Sequence, residues 1–249
     1  MDDYLLRDIP ASLDFITKHT GFARVHWIGH SMGGMLLYAY VAAFGAEKVA
    51  AAATLGAPPG FDGVNFQTPH AVFWLQRLCP PLFQYILKGI TPLLNVWKPR
   101  FRFVPVNWDN IHTDVTPRTF FNVIEAIPPR AAQELAGWAT TKTWRMRNGE
   151  LDVLASLKKL QIPIFAIFGG ADALTPGQNA RAFFEALPAD YKKMLILSKE
   201  SGYAEDYDHV DLAFGKNGVA DVFEPIAEWL KKHPIAKQRD AGRVAAANP

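Results

Sequence analysis

The chain has 249 residues, 49% of them hydrophobic and 20% charged, a composition that supports a packed core and excludes a wholly disordered protein. The formal net charge is +2 and the Lys and Arg residues are dispersed, which argues against a nucleic-acid-binding surface. A single cysteine, Cys79, excludes an intrachain disulfide and a cysteine-based metal site. No run reaches the roughly 18 consecutive apolar residues of a membrane span.

The first 60 residues predict helices and strands in alternation. The first helix is indicated by apolar residues at helical spacing, namely Leu6, Ile9, Leu13 and Ile16. Pro10 lies within this pattern, so the helix either starts there or is kinked. A short buried strand is predicted in ARVHWIGH, an apolar helix in MGGMLLYAYVAAFG and a second buried strand in KVAAAATLGAPPG.

Residues 58–157 interrupt the alternation, because they are rich in Pro, Trp and Phe and contain only irregular helix-like pieces. The rhythm then returns as a strand in QIPIFAIFGGAD, a helix in PGQNARAFFEALP, a strand in KKMLILSKE and a helix in VADVFEPIAEWLKKH. Such alternation predicts a parallel sheet of about four visible strands with helices on both faces. We therefore predict an α/β core at residues 1–57 and 158–233, a helical cap insertion at 58–157 and a flexible tail at 234–249.

The string Gly29-His30-Ser31-Met32-Gly33 stands between the first predicted strand and the helix after it. This is the context of a nucleophile elbow, a sharp strand-to-helix turn that presents a serine in a strained backbone conformation. Small residues on either side give the turn room, and the following helix directs its positive end toward the serine. The sequence therefore predicts that Ser31 is a nucleophile.

A serine nucleophile needs a base, and the base needs a carboxylate that orients it. On a fold of this kind the chain order is Ser, acid, His. Asp172 ends the strand QIPIFAIFGGAD, which would place its carboxylate at the same edge of the sheet as the elbow. We predict that Asp172 is the acid, with a simple turn or capping role as the alternative.

Seven histidines compete for the role of base. His209 is favoured because it lies in the polar loop SGYAEDYDHVD, after the last strand and before the last helix. The others precede the acid, adjoin the serine or end a helix: His19, His26, His70, His112, His30 and His233. Three neighbours of His209 are competing acids, namely Asp206, Asp208 and Asp211, but adjacent side chains usually point in different directions.

The motifs GHSMGG, FGGAD and DHVD, in this order and context, resemble those of the α/β-hydrolase superfamily. Two longer stretches, DDYLLRDIPASLDFITKHTG and DHVDLAFGKNGVADVFEPIAEWL, are similar to the acid-lipase branch, which contains gastric and lysosomal lipases. The likeness covers the core from residue 1 to about 232, whereas the insertion matches only in position and apolar character.

The resemblance implies that the N-terminal strands of the usual fold are absent from these residues. One of the missing loops would carry the His-Gly motif that completes the oxyanion hole, which leaves the N–H of Met32 as the identifiable donor. The strand before Ser31 would then form an exposed apolar edge. A second chain or a dimer covering this edge is therefore an expected partner.

The function predicted from these residues is hydrolysis of carboxylic esters that carry an apolar acyl group, without metal or organic cofactor. The substrate-binding candidates are His30, Phe73, Trp74, Phe83 and Trp97, four of which lie in the aromatic cap. An apolar cap could also contact a lipid surface. Two alternatives stay open: a non-catalytic or partner-dependent binding module, and acyl transfer on the same three side chains.

Overall fold

A four-stranded parallel sheet forms the centre of the fold. The structure is a computed structural model that describes residues 1–62, 64, 80–93, 105–112, 121–122, 127–157, 161–187 and 191–237. In chain order the strands are β1 (Val25–His30), β2 (Val49–Leu55), β3 (Arg145–Met146), β4 (Leu151–Asp152), β5 (Ile164–Gly169) and β6 (Lys192–Leu197). The large sheet has the order β1–β2–β5–β6 with every pair parallel, and β3 and β4 form a separate antiparallel pair. The expected parallel α/β sheet is confirmed.

Eight α-helices occur in the described residues, and those outside the insertion contact the large sheet. The eight are α1 (Ile9–Thr20), α2 (Met32–Phe44), α3 (Pro80–Ile90), α4 (Pro129–Thr141), α5 (Val153–Leu157), α6 (Gly177–Ala186), α7 (Asp211–Phe214) and α8 (Glu224–Lys231). A π-helical turn, Tyr4–Asp8, runs without a break into α1, and Pro10 is the second residue of α1. Gly21 ends α1 with a left-handed backbone, φ 73°, a conformation that glycine adopts without strain.

The two faces of the sheet carry separate hydrophobic clusters. Alternate strand residues face α2 on one side, among them Ala52 and Ile164, and their neighbours Ala53 and Phe165 face α8 on the other. Every residue of β2 and β5 is buried, which is what a strand covered on both faces requires. This packing fixes the ends of β1, β2 and β5 at one edge of the sheet, where the candidate site lies.

Strand β1 lies at one side of the sheet and pairs with β2 alone among the described residues. Ile28 on this strand is 56% exposed. A groove of about 690 Å³ runs along the same strand and is lined by residues of β1 and α1 and by Ile235. The expected apolar edge is thus present in the described residues, while a partner that covers it stays a prediction.

The insertion contributes more than helices. Its described residues include α3, α4 and α5, and also the short β3–β4 pair, which the sequence did not predict because two-residue strands leave no periodic pattern. Residues of α4 and α5, such as Leu135 and Leu157, pack in the same cluster as α2. The domain boundaries stay a prediction, and residues 238–249 of the predicted tail lie outside the described residues. No helix in the described ranges is long and apolar enough to span a bilayer.

Candidate active site

Ser31 stands at the turn between β1 and α2 with a backbone conformation of φ 51°, ψ −118°. A positive φ is strained for a residue with a Cβ atom, and such strain persists only where the surrounding structure enforces it. Here the Ser31 N–H donates to the carbonyl of Leu55, at the end of β2, over 2.8 Å. The strained backbone expected of an elbow serine is therefore observed.

Two glycines give this turn its room. A Cβ atom on Gly29 would lie 2.5 Å from the backbone of Gly33 and Gly34, and one on Gly34 would lie 2.5 Å from Cβ of Ala57. The expectation that the turn needs a small residue on either side is wrong at Gly33, because no atom outside its own helix lies within 4 Å of a Cβ built there. The helix turns the Gly33 position away from the strand, and the close contacts fall on Gly34 instead.

The structure brings the three predicted catalytic side chains into contact. Nε2 of His209 lies 2.8 Å from Oγ of Ser31, and Nδ1 of His209 lies 2.8 Å from Oδ2 of Asp172. His209 is 4% exposed and Asp172 is 3% exposed, so water competes weakly for either hydrogen bond. The imidazole thus spans the hydroxyl and the carboxylate in a single line of hydrogen bonds.

Asp172 is held by donors on both of its oxygen atoms. Oδ1 accepts from the N–H groups of Leu174 and Thr175, and Oδ2 accepts from the Thr175 hydroxyl over 2.6 Å and from His209. Burial by itself would raise the pKa of Asp172, but the hydrogen bonds and charge of His209, together with the Thr175 bonds, lower that pKa below its ordinary value. The carboxylate is therefore an acceptor, and Nδ1 of His209 carries the proton it shares with Asp172.

Two residues that sequence reasoning missed complete this arrangement. The Thr175 hydroxyl lies 3.3 Å from Nδ1 of His209 and 3.0 Å from the carbonyl oxygen of Gly56. Gly56 has φ +53°, and a Cβ there would lie 2.9 Å from Nδ1 of His209. In the sequence, only the Leu-Gly-Ala-Pro turn after β2 indicates a special role for Gly56. The only feature that indicates one for Thr175 is its position three residues after the acid.

The competing acids lie close to His209 in sequence but do not contact its imidazole. The Asp208 carboxylate accepts from the backbone N–H of His209 over 2.7 Å, and the Asp206 carboxylate accepts from the N–H of Lys199 over 2.8 Å. Asp211 accepts from the N–H of Asp208 and from Asn107 and Asn110 in another segment of the chain. Among the described contacts, Asp172 alone of these four carboxylates meets the ring.

The remaining predicted site residues divide into two groups. His30 packs against the site, with Nε2 2.9 Å from the carbonyl oxygen of His209 and ring centroids 4.9 Å apart, and its substrate contact stays a prediction. The N–H of Met32 is among the first of α2, where no acceptor exists within the helix. Phe73, Trp74 and Trp97 lie outside the described residues, as does the side chain of Phe83.

In the described part of the chain no group of three or more His, Cys, Asp or Glu residues could hold a metal ion.

A family model described as the alpha/beta hydrolase fold matches residues 2–202. The chain belongs to this family. Enzymes of known structure share the fold of this alpha/beta hydrolase: an enol-lactonase from Burkholderia xenovorans LB400 superposes with a TM-score of 0.59 at 14% identity, covering 92% of this chain and 74% of that one. A carboxylesterase structure from Nitrososphaera gargenis gives a TM-score of 0.58 at 18% identity, covering 93% and 75%. At these identities the likeness shows the fold alone.

Among curated proteins, this alpha/beta hydrolase is 21% identical to a "probable lipase" of Schizosaccharomyces pombe, over 96% of this chain and 58% of the relative. It is 22% identical to the poly(3-hydroxyalkanoate) polymerase subunit PhaC of Haloferax mediterranei, over 92% of this chain and 48% of the relative. The chain therefore spans about half the length of the curated relatives that it matches.

Proposed function

We propose that this alpha/beta hydrolase is a serine hydrolase of carboxylic esters. The observation that carries the proposal is the line of hydrogen bonds from the Ser31 hydroxyl through the His209 imidazole to the Asp172 carboxylate, each 2.8 Å long. In this proposal Ser31 is the nucleophile, His209 the general base and Asp172 the group that orients the imidazole. Esterases and lipases among the proteins that share its fold or sequence support the reaction class.

The proposed reaction has two halves that share one proton carrier. In the first, Oγ of Ser31 attacks the ester carbonyl carbon while its proton passes to Nε2 of His209, which then protonates the departing alcohol. In the second, water attacks the acyl-enzyme, its proton passes to the same nitrogen, and the proton returns to Oγ as the carboxylic acid leaves. Asp172 stabilises the imidazolium that forms in each half, and the low pKa of its carboxyl keeps it ionised for this role.

The negative oxygen of the tetrahedral intermediate needs hydrogen-bond donors. We assign the N–H of Met32 to this role, because it follows the nucleophile at the positive end of α2. A missing oxyanion donor typically lowers the rate by about 10²–10³. A chain that relies on one donor would therefore turn over slowly, and its labelling by an irreversible probe is the more sensitive assay.

An ester with an apolar acyl group is the proposed substrate class. Helix α3 in the cap region exposes large apolar side chains, with Leu82 49% exposed, Tyr85 73% and Ile86 45%. An exposed apolar helix of this kind fits an acyl chain or a lipid surface better than a sugar or a peptide. The resemblance to acid lipases and the sequence likeness to the S. pombe lipase support the same class.

The first test is intact mass spectrometry after exposure to a fluorophosphonate probe, on the wild-type chain and on Ser31→Ala. One adduct on the wild type and none on the variant is the expected result, and turnover of p-nitrophenyl esters of increasing chain length then ranks the acyl group. A folded, monodisperse wild type that forms no adduct would overturn the proposal for these 249 residues and favour the non-catalytic or partner-dependent binding module. An adduct that persists on Ser31→Ala would show that another residue is the nucleophile.

Acyl transfer is a second candidate, favoured by the likeness to the polymerase subunit. The same acyl-enzyme would form, but an alcohol or hydroxyacyl acceptor would replace water in the second half. Product analysis with and without an added alcohol separates the two functions. A transferred ester that dominates over free acid at low alcohol concentration would indicate a transferase.

A further inference from the structure

Asp211 is a buried carboxylate that the proposed chemistry does not use. Its side chain is 0% exposed, and both of its oxygens accept hydrogen bonds. Oδ1 accepts from the N–H groups of Asn107 and Asp208, each over 3.1 Å, and Oδ2 accepts from Nδ2 of Asn110 over 2.8 Å. Asp208 precedes His209, whereas Asn107 and Asn110 belong to the insertion, so one carboxylate joins the two parts of the chain.

The rest of the 105–112 segment pairs with the loop on both sides of His209. The N–H of Val210 donates to the carbonyl of Pro105 over 3.0 Å, and Nδ2 of Asn107 donates to the carbonyl of Asp206 over 2.8 Å. Further along, the N–H of Lys216 donates to the carbonyl of Asn110 over 2.7 Å. The loop thus has a fixed backbone, and Asp211 is its central acceptor.

A purely stabilising role explains this carboxylate poorly. No ion pair of the described residues involves Asp211, and all its hydrogen-bond donors are neutral. Burial accordingly raises the pKa of Asp211 to about 6, which means that the ionised form at neutral pH costs stability. A neutral amide of similar shape would avoid that cost, but it could not accept at both positions, as the N–H donors of Asn107, Asp208 and Asn110 require.

We propose that Asp211 is a positioning residue for the catalytic base, an inference that rests on the proposed function. Its ionised carboxylate accepts at both oxygens at once and holds the N–H of Asp208 against the 105–112 segment. That contact sets the backbone from which His209 projects between Ser31 and Asp172. An amide in its place accepts at one position only, so the backbone at residue 208 is held less firmly.

The test compares Asp211→Asn with Tyr207→Phe in the full chain. Tyr207→Phe is the matched control for loss of a hydrogen bond in the same loop. It removes the bond from the Tyr207 hydroxyl to Asp221 over 2.8 Å and the contact of that hydroxyl with Asn110, while Asn107, Asn110 and Asp208 all remain in place as donors to Asp211. Fluorophosphonate labelling counts the active sites, and kcat and KM for a short p-nitrophenyl ester are expressed per labelled site. The second measurement is the low-field proton NMR signal of the His209 Nδ1–H that Asp172 accepts.

For Asp211→Asn we expect kcat per labelled site to fall by about tenfold with KM changed less than about twofold, because a small displacement of a catalytic group costs rate rather than binding. The low-field signal should shift or vanish, whereas Tyr207→Phe should keep both the wild-type signal and the wild-type kcat. An unchanged kcat and signal in Asp211→Asn would overturn the proposal and leave Asp211 a structural residue.

Failure of the proposed function can be distinguished from failure of the positioning role of Asp211. If wild-type Ser31 is inert to the probe, the ester hydrolase proposal fails, and the NMR comparison still decides whether Asp211 positions His209. If Asp211→Asn does not fold, Asn110→Ala replaces it, since this variant removes the amide donor to Oδ2 and leaves the two backbone donors of Asp211 in place. For Asn110→Ala we expect a smaller loss of kcat, about threefold, with the same shift of the NMR signal. Wild-type values for both would overturn the positioning role.

Discussion

The carbonyl oxygen of His209 lies 2.9 Å from Nε2 of His30, so the residue before the proposed nucleophile holds the backbone of the proposed base. A carbonyl only accepts, and Nε2 of His30 therefore carries the hydrogen. Burial, and then the nearby charge of His209, lower the pKa of His30 below its ordinary value. A neutral His30 leaves His209 as the ring of this pair that takes the proton during the reaction.

His30→Leu should lower turnover more than His30→Gln does. Leucine leaves the His209 carbonyl without its donor, which costs about 1–3 kcal/mol when the group is buried, whereas the glutamine amide can still donate from a similar position. We expect kcat of His30→Leu to fall about tenfold and that of His30→Gln to stay within about threefold of the wild type. Per-site kcat after probe titration checks this, and equal losses in the two variants would argue against a role for the hydrogen bond.

Thr175 supplies a second test of the groups around His209. Thr175→Val keeps the shape of the side chain but removes the hydroxyl that lies 2.6 Å from Oδ2 of Asp172. The Asp172 carboxylate then loses one of the bonds that lower its pKa, and the Gly56 carbonyl loses the hydroxyl that lies 3.0 Å from its oxygen. We expect kcat to fall by about tenfold, since a hydrogen bond to a charged group contributes about 1.5–3 kcal/mol. Thr175→Ser should restore most of the rate, and failure of this rescue would point to packing rather than hydrogen bonding.

The fold and the three central residues were accessible from sequence for a common reason. Short apolar runs bounded by Gly and Pro mark the buried strands, and the carboxyl ends of parallel strands meet at one edge. Ser31 and Asp172 follow two such strands, and His209 lies in the loop after a third. Their proximity therefore follows from local patterns alone.

The residues that hold His209 in place could not be predicted from local sequence patterns. Asn110 and Asp211 are 101 residues apart in the chain, and an amide that meets a carboxylate leaves no periodic pattern in either segment. The positive φ of Gly56 depends on where the imidazole lies, which is a tertiary fact. The motif also suggested the wrong second glycine, because the spacing of GHSMGG does not reveal which helical position faces Ala57.

The two elbow glycines should respond differently to alanine. Gly29→Ala places a methyl group 2.5 Å from backbone atoms of Gly33 and Gly34, so the turn must open and move Ser31. We expect this variant to lose probe labelling and to melt at a lower temperature. Gly33→Ala has open space within a helix, where alanine is favoured over glycine by roughly 0.5–1 kcal/mol, and its melting temperature should rise. Thermal melts of both variants check the pair, and equal destabilisation would contradict the geometry.

The free side of β1 predicts association. Ile28 is 56% exposed on a strand whose outer side pairs with nothing among the described residues, and such edges attract further strands. Ile28→Lys should shift the chain from oligomer or aggregate toward monomer in sedimentation velocity at several concentrations. Phe15→Lys on α1, 68% exposed, is the control for general surface hydrophobicity. A wild type that stays monomeric at every concentration, or an equal effect of Phe15→Lys, would exclude edge pairing.

The raised pKa of Asp211 predicts how the stability of the folded chain depends on pH. In the folded chain the pKa of Asp211 is about 6, above the ordinary value of 3.8. The folded chain therefore binds this proton more tightly than the unfolded chain does. The resulting stabilisation is complete below the unfolded pKa and disappears as pH rises through the folded one.

Asp211→Asn lacks this titration, so its melting temperature relative to the wild type should increase between pH 4.5 and pH 7.5. The gain is at most about 3 kcal/mol, because one pKa unit corresponds to about 1.4 kcal/mol. Asp208, whose pKa burial also raises to about 6, is present in both proteins, but the charge of Asp211 contributes to that raised pKa, so the difference between the two proteins includes a smaller contribution from Asp208. A variant that gains relative stability at neutral pH and still loses turnover would mean that the buried charge serves the position of His209 at the expense of stability. A constant difference across the pH range would mean that Asp211 ionises as an ordinary carboxyl and that its buried charge costs the fold no stability.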